Sequence, residues 1–225
     1  MSIGKGSVTS VSISVGIATG IYGISFGALS VTAGFDLWRT MALSLLMFSG
    51  GSQFAFVAVF ATGGASALPA AITSAWLVGI RNGFYALTLA PKLGPKGLLR
   101  AFAAQLTIDE STAVSASREN SEEQRKGFWL TGLAVFVFWN LATVIGALLG
   151  SIISDPKIFG LDAAAAAALF ALVWPRIQKS TGAIIAAISI LGSTLLSLYL
   201  PSGFPVLLAA AVAVSVGFWL DRSKS

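Results

Sequence analysis

Long, nearly uninterrupted apolar runs are the feature that most limits how this chain can fold. Seven runs, called segments one to seven below, lie at residues 8–31, 39–62, 67–90, 127–153, 161–174, 181–200 and 204–220. A helix needs about 20 mostly apolar residues to cross a bilayer, and it satisfies its own backbone there. Transmembrane strands alternate apolar and polar residues, which these runs do not. We therefore predict an all-α integral membrane protein with about seven transmembrane helices, forming a single polytopic domain over residues 1–225.

Composition agrees with this prediction and excludes several chemistries. Charged residues make up 10% of the chain and hydrophobic residues 56%, whereas soluble proteins carry about 25% charged residues. The chain has no Cys and no His, which excludes disulfides, thiolate metal sites, Ser–His catalysis and His proton relays. Nucleotide-binding glycine motifs are absent. We expect no metal, no cofactor, no catalytic residue and no nucleic-acid partner.

The distribution of Lys and Arg predicts the orientation in the membrane, because cytoplasmic loops are enriched in these residues. The loop at 91–126 carries six of the 14 basic residues and is placed in the cytoplasm. With alternating spans, 11 basic residues lie inside and two, Lys5 and Lys157, lie outside. We expect a multi-pass protein of the cell (inner or plasma) membrane, with its N-terminus outside and its C-terminus in the cytoplasm. Whether 98–117 enters the membrane stays open.

Segment one carries four glycines on one helical face. Their spacings of 4, 3 and 4 residues place Gly16, Gly20, Gly23 and Gly27 in line. Small residues let a second backbone approach closely, which is how helices associate in lipid. The face predicts either packing inside the subunit or a sliding or partner interface.

Segment two contains an unusual polar stretch, Ser49, Gly50, Gly51, Ser52 and Gln53. Each Gly lowers helix propensity by about 1 kcal/mol, and transporters use broken helices at membrane depth to bind substrate. We predict a helix break here, with free N–H groups at the start of the second half-helix that can bind a carboxylate. An intact helix with its polar side chains bonded to neighbours is the alternative.

Segment three contains Arg81 and Asn82, with Tyr85 one turn later. A charge at this depth costs at least about 2.5–3.5 kcal/mol unless it is paired or faces water. Arg81, Asn82 and Tyr85 are therefore predicted to bind substrate, near a second helix break, as are the five residues of the polar stretch in segment two. Snorkelling of Arg81 to the interface is the alternative. Trp139 and Asn140, in the middle of segment four, are lesser candidates.

The acidic pair Asp109 and Glu110 has two interpretations. Thr107 and Glu110 have the spacing of a helix-capping box, with Thr107 as the N-cap. Alternatively, the carboxylates titrate during transport or bind an ammonium group, with Arg81 as their partner. Under that hypothesis both are candidates for proton coupling.

These features together resemble the AzlC family of branched-chain amino acid exporter subunits. The resemblance is carried by residues 48–54 (Phe-Ser-Gly-Gly-Ser-Gln-Phe), by 81–85 (Arg-Asn-Gly-Phe-Tyr) and by 109–110, and it covers nearly the whole chain. Asn82 stands where many members of the family have His after the Arg, so a His-dependent proton step does not carry over.

The resemblance implies a function and a partner that composition does not. The chain is expected to be the large subunit of a two-component permease, assembled with a small hydrophobic AzlD-type membrane subunit. It is expected to export Leu, Ile and Val, with Met as a further candidate, driven by the proton motive force. The residues alone leave three alternatives: a channel, a transporter for another small solute, and an intramembrane enzyme.

Overall fold

A computed structural model describes residues 6–94, 96–152, 170, 174, 177–178, 180–200 and 204–222. Within these residues the regular structure is entirely helical. The helices are α1 (Val8–Thr32), α2 (Leu37–Leu46), α3 (Gly50–Gly63), α4 (Leu68–Leu93), α5 (Leu98–Gln105), α6 (Asp109–Ala116), α7 (Ser121–Ile152), α8 (Ser180–Leu196) and α9 (Phe204–Arg222). A short 3₁₀ turn, Gly64–Ala67, joins α3 to α4. The predicted fifth span, 161–174, lies outside the described residues except for Phe170 and Trp174.

In the part of the chain that the structure describes, three helical regions are long and apolar enough to cross a membrane: α1, the α3–α4 region (Gly50–Leu93) and α7. Shorter apolar helices lie at Leu37–Leu46, Ser180–Leu196 and Leu207–Trp219. The prediction of an all-α membrane protein is confirmed, while the number of crossings and the orientation stay predictions.

The glycine face of α1 packs against α7. A Cβ added at Gly16 would lie 2.6 Å from Ala134 Cβ, and one at Gly20 would lie 2.6 Å from Phe138 Cβ. Gly23 and Gly27 face the α7 carbonyl groups of Trp139 and Thr143. Because the two backbones lie this close, the face serves packing within the subunit in the described structure.

Segment two is broken at residues 47–49, between α2 and α3. The break leaves the last carbonyl groups of α2 without helical partners, which lipid cannot satisfy. Gln53 helps to fill this need: its fully buried side-chain amide donates to the Met47 carbonyl at 2.9 Å and lies 3.3 Å from the carbonyl groups of Leu43 and Ser44. The Leu43 and Met47 carbonyl groups also accept the backbone N–H groups of Met47 and Ser49. Gln105 donates to the carbonyl of Leu45 at 2.8 Å. Two amide side chains therefore make the break tolerable.

Segment three is not broken, so that part of the prediction is wrong. The helix α4 is continuous from Leu68 to Leu93, with Pro69 in its first turn and Pro91 in its last. A glycine inside a helix costs about 1 kcal/mol, whereas an unsatisfied backbone group in lipid costs several. Breaking the helix at Gly83 would therefore cost more than keeping the glycine helical, and α4 stays helical around Arg81 and Asn82.

The predicted loop at 91–126 contains two helices, α5 and α6, and α6 packs against α7. The predicted capping box is wrong: the N-cap of α6 is Ile108, and the Thr107 hydroxyl donates instead to the Ala103 carbonyl of α5 at 2.8 Å. Ser111 accepts the Ile108 N–H at 3.1 Å. This arrangement begins α6 at Asp109 and places its first turn against the helix bundle.

Candidate functional site

A cavity of about 230 Å³ lies between α1, α3, α4, α6 and α7. Its lining combines apolar side chains, charged and hydroxyl-bearing side chains, and two glycines. The lining residues are Thr19, Tyr22, Phe48, Ser49, Gly50, Gly51, Phe54, Arg81, Ile108, Asp109, Glu110, Val135 and Trp139. Ligand pockets are typically of this kind, mostly apolar with a few polar groups.

Arg81 forms an ion pair across the cavity. Its Nη2 lies 2.7 Å from Asp109 Oδ2, which joins α4 to the first turn of α6. The two side chains are 26% and 41% exposed, so the pair is partly shielded from solvent. The guanidinium therefore points toward the cavity and its carboxylate partner, rather than along the helix toward an interface.

The same guanidinium lies beside the start of α3. A Cβ added at Gly51 would lie 3.0 Å from Arg81 Nη2, so the missing side chain makes room for the cation. Ser49, the N-cap of α3, provides no side-chain cap to this helix. The first N–H groups of α3 favour negative charge, because a helix N-terminus carries partial positive charge. The Arg81 guanidinium, a cation, does the same. Together they form an anion-binding corner.

Glu110 is the second carboxylate of the cavity, in α6 and outside the three long apolar regions. Burial raises the pKa of Glu110 above its ordinary value, and the neighbouring Asp109 carboxylate raises it further. A backbone hydrogen bond, the Arg81 guanidinium and a hydrogen bond with Thr19 act in the opposite direction on this pKa. Since burial is the largest of these effects, the net result is a pKa of Glu110 above that of an ordinary glutamate.

An aromatic wall closes the apolar side. The Trp139 ring stacks on Phe26 at 6.2 Å and meets Phe54 edge-on at 6.3 Å, and Phe48 packs against Phe136 at 5.0 Å. Trp139 is 4% exposed, and its indole N–H has no hydrogen-bond partner in the described structure. A buried donor without a partner is costly, and here the packing of the aromatic wall offsets that cost.

The sequence-predicted binding residues divide into two groups. Ser49, Gly50, Gly51 and Arg81 line the cavity, as do Asp109 and Glu110. Gln53 does not line the cavity, because its side-chain amide is bonded to carbonyl groups at the end of α2. Ser52 and Asn82 line a second, more open hollow of about 540 Å³ that shares Phe48 and Ser49 with the first. Tyr85 lines neither.

Sequence reasoning missed Thr19, Tyr22, Ile108 and Val135. Thr19 and Tyr22 lie one turn apart on α1, beside its glycine face, and this position is a signal that could have identified them. Ile108 and Val135 are ordinary apolar residues in their local sequence, and only the packing of α6 and α7 brings them to the cavity.

The described helices and the cavity define a multi-span membrane protein with a charged, aromatic-walled central site. Comparison with known proteins specifies this class further. The model of the AzlC protein family matches residues 14–153, and the chain belongs to this membrane transport family. It is also 31% identical, over 156 residues, to an uncharacterized membrane protein of Archaeoglobus fulgidus; the match covers 68% of this chain and 67% of that protein. No solved structure matches the chain.

Proposed function

We propose that this protein exports branched-chain amino acids across the cell membrane, as the large subunit of a two-component permease driven by the proton motive force. Leu, Ile and Val are the proposed substrates, with Met as a further candidate. The observation that carries the proposal is the cavity, which holds a cationic corner, an acidic pair and an aromatic wall within about 230 Å³.

The cationic corner suits the substrate carboxylate. Arg81 can donate two parallel hydrogen bonds to a carboxylate, which Lys cannot. The leading N–H groups of α3 provide further donors, and discontinuous helices bind substrate carboxylates in this way in other transporters.

The acidic pair suits the substrate ammonium and a coupled proton. Asp109 and Glu110 are consecutive residues that both line the cavity. Asp109 would accept from the ammonium, while Glu110, whose pKa burial raises, would carry the proton. This assignment requires no His, in agreement with a sequence that contains none.

The apolar wall suits a short branched side chain. Phe48, Phe54 and Val135 border the cavity, whose volume is below the roughly 300–1,000 Å³ of sites for drug-sized ligands. An apolar pocket separates side chains that differ by one methylene by only about 1–3 kcal/mol. Overlapping use of Leu, Ile and Val follows from this limit.

Counterflow of labelled leucine in liposomes tests the proposal. Vesicles containing this chain, with and without a small hydrophobic AzlD-type subunit, are loaded with unlabelled leucine and diluted into labelled leucine. We expect labelled leucine to accumulate when both subunits are present, and excess Ile or Val to compete. Vesicles without protein are the control. No accumulation with both folded subunits present, or no competition by Ile and Val, would contradict the proposal.

A further inference from the structure

In the described structure Arg81 is already paired with a carboxylate of its own chain, that of Asp109. The 2.7 Å ion pair with Asp109 occupies the guanidinium that an incoming carboxylate needs. Both residues line the same cavity, so any anion that binds Arg81 must displace or share Asp109. The charge of the site is thus satisfied internally before a ligand arrives.

The consequence depends on what happens to Asp109 when it is displaced. The Asp109 side chain is 41% exposed, so water offsets part, but not all, of the cost of leaving its carboxylate unpaired. Its neighbour in the cavity is Glu110, an acid rather than a cation. Among the described residues that line the cavity Arg81 is the one basic residue, so none of them offers the displaced Asp109 a second cation. Its new partner must come with the ligand.

We propose that Asp109 is an internal stand-in for the substrate carboxylate, so that the cavity selects ligands carrying a carboxylate and an ammonium together. The inference rests on the proposed function and specifies how that site recognises its substrate class. A zwitterion exchanges one ion pair for two, because its carboxylate binds Arg81 while its ammonium binds the released Asp109. A plain carboxylate leaves Asp109 unpaired, and a plain amine finds Asp109 already bound to Arg81.

The test compares leucine with two analogues that each lack one charge. 4-Methylpentanoate lacks the ammonium of leucine, and 3-methylbutylamine lacks its carboxylate. Equilibrium dialysis of the full-length protein in detergent, assembled with the small hydrophobic AzlD-type subunit and held at one pH, measures the affinity for each radiolabelled ligand. For the natural sequence we expect leucine to bind at least about tenfold more tightly than either analogue.

The Asp109→Asn variant should then reverse the preference. Removing the competing carboxylate frees Arg81, so 4-methylpentanoate should bind about tenfold more tightly than it binds the natural protein, while leucine loses its ammonium partner and weakens. Asp36→Asn is the matched control, because Asp36 is an exposed acid whose ion pair with Arg39, at 3.7 Å, lies outside the cavity. It should leave all three affinities unchanged. Asp109→Ser tests the same point if the Asn variant does not elute as a monodisperse protein.

The outcomes separate the two proposals. Leucine binding to the natural protein without a gain for 4-methylpentanoate in a folded Asp109 variant would overturn the stand-in role and leave the proposed function intact. Equal binding of leucine and 4-methylpentanoate by the natural protein would likewise overturn selection of zwitterions. If leucine does not bind the natural protein, the proposed function itself fails, and this inference fails with it.

Discussion

Gly51 and Arg81 lie so close that a single methyl group on the glycine would reach the guanidinium. The added Cβ would be 3.0 Å from Arg81 Nη2 and 3.2 Å from Val78 Cγ1. The contact places a cation beside the positive end of α3, where the two would repel one another without an anion. Asp109 supplies that anion in the described structure, at 2.7 Å from Nη2. The glycine thus sets the distance between the two anion-binding elements.

Gly51→Ala should therefore weaken leucine binding while leaving the protein folded. The methyl group displaces the guanidinium by a few tenths of an ångström or more, which misaligns it with the α3 N–H groups and the bound carboxylate. We expect a loss of about tenfold in affinity, or ~1.4 kcal/mol, measured by equilibrium dialysis. Gly192→Ala is the matched control, because a Cβ at this helical glycine meets nothing within 4 Å. Equal affinities for both variants would show that the Gly51–Arg81 contact is not needed.

Arg81→Lys should weaken leucine transport more strongly. Lysine keeps the charge but loses the planar fork that binds a carboxylate through two hydrogen bonds. A hydrogen bond to a charged group contributes about 1.5–3 kcal/mol, so we expect counterflow to fall by about tenfold to a hundredfold. Arg39→Lys, at an exposed arginine of α2, is the control and should transport normally. Normal rates from a folded Arg81→Lys protein would refute the bidentate role.

Much of the fold is predictable from local sequence, because lipid penalises each unsatisfied backbone group and each unpaired charge. The limits of α1 follow from its apolar run, and the break in segment two follows from the Gly50–Gly51 pair. The role of Gln53 was not predictable, because its side-chain amide reaches the carbonyl groups of Leu43, Ser44 and Met47 only when the chain turns back after α2. The pairing of Arg81 with Asp109 was open for a similar reason, since it depends on where α6 packs.

The orientation of the chain is tested by cysteine labelling, for which the natural absence of Cys is an advantage. The excess of Lys and Arg at 91–126 predicts that this region faces the cytoplasm. A cysteine at Ser121 should react with a membrane-impermeant maleimide only after the cells are opened. One at Ser202, in the loop between segments six and seven, should react in intact cells. Labelling of both from the same side would contradict the predicted topology.

Glu110→Gln should reduce the pH dependence of both stability and transport. Burial and Asp109 raise the pKa of Glu110 above 4.5, its ordinary value. Folded protein therefore binds a proton that unfolded protein releases, at pH values between 4.5 and the raised pKa. The stability contributed by this proton is fully present below that window and is lost as the pH rises through the raised pKa. The neutral amide of Gln cannot ionise, so the variant should not show this loss.

Thermal unfolding and leucine counterflow measured across a pH series check this prediction. The difference in Tm between Glu110→Gln and the natural protein should change across the window, in favour of the variant at the higher pH, and the pH profile of flux should flatten. The groups that accompany Glu110 in the cavity, Asp109, Arg81 and Tyr22, remain in both proteins, so the comparison isolates one carboxylate. Glu122→Gln, at an exposed acid in the first turn of α7, is the control and should retain the natural profile. A flux profile that is unchanged in Glu110→Gln would remove Glu110 from proton coupling, even if the difference in Tm follows the expected course.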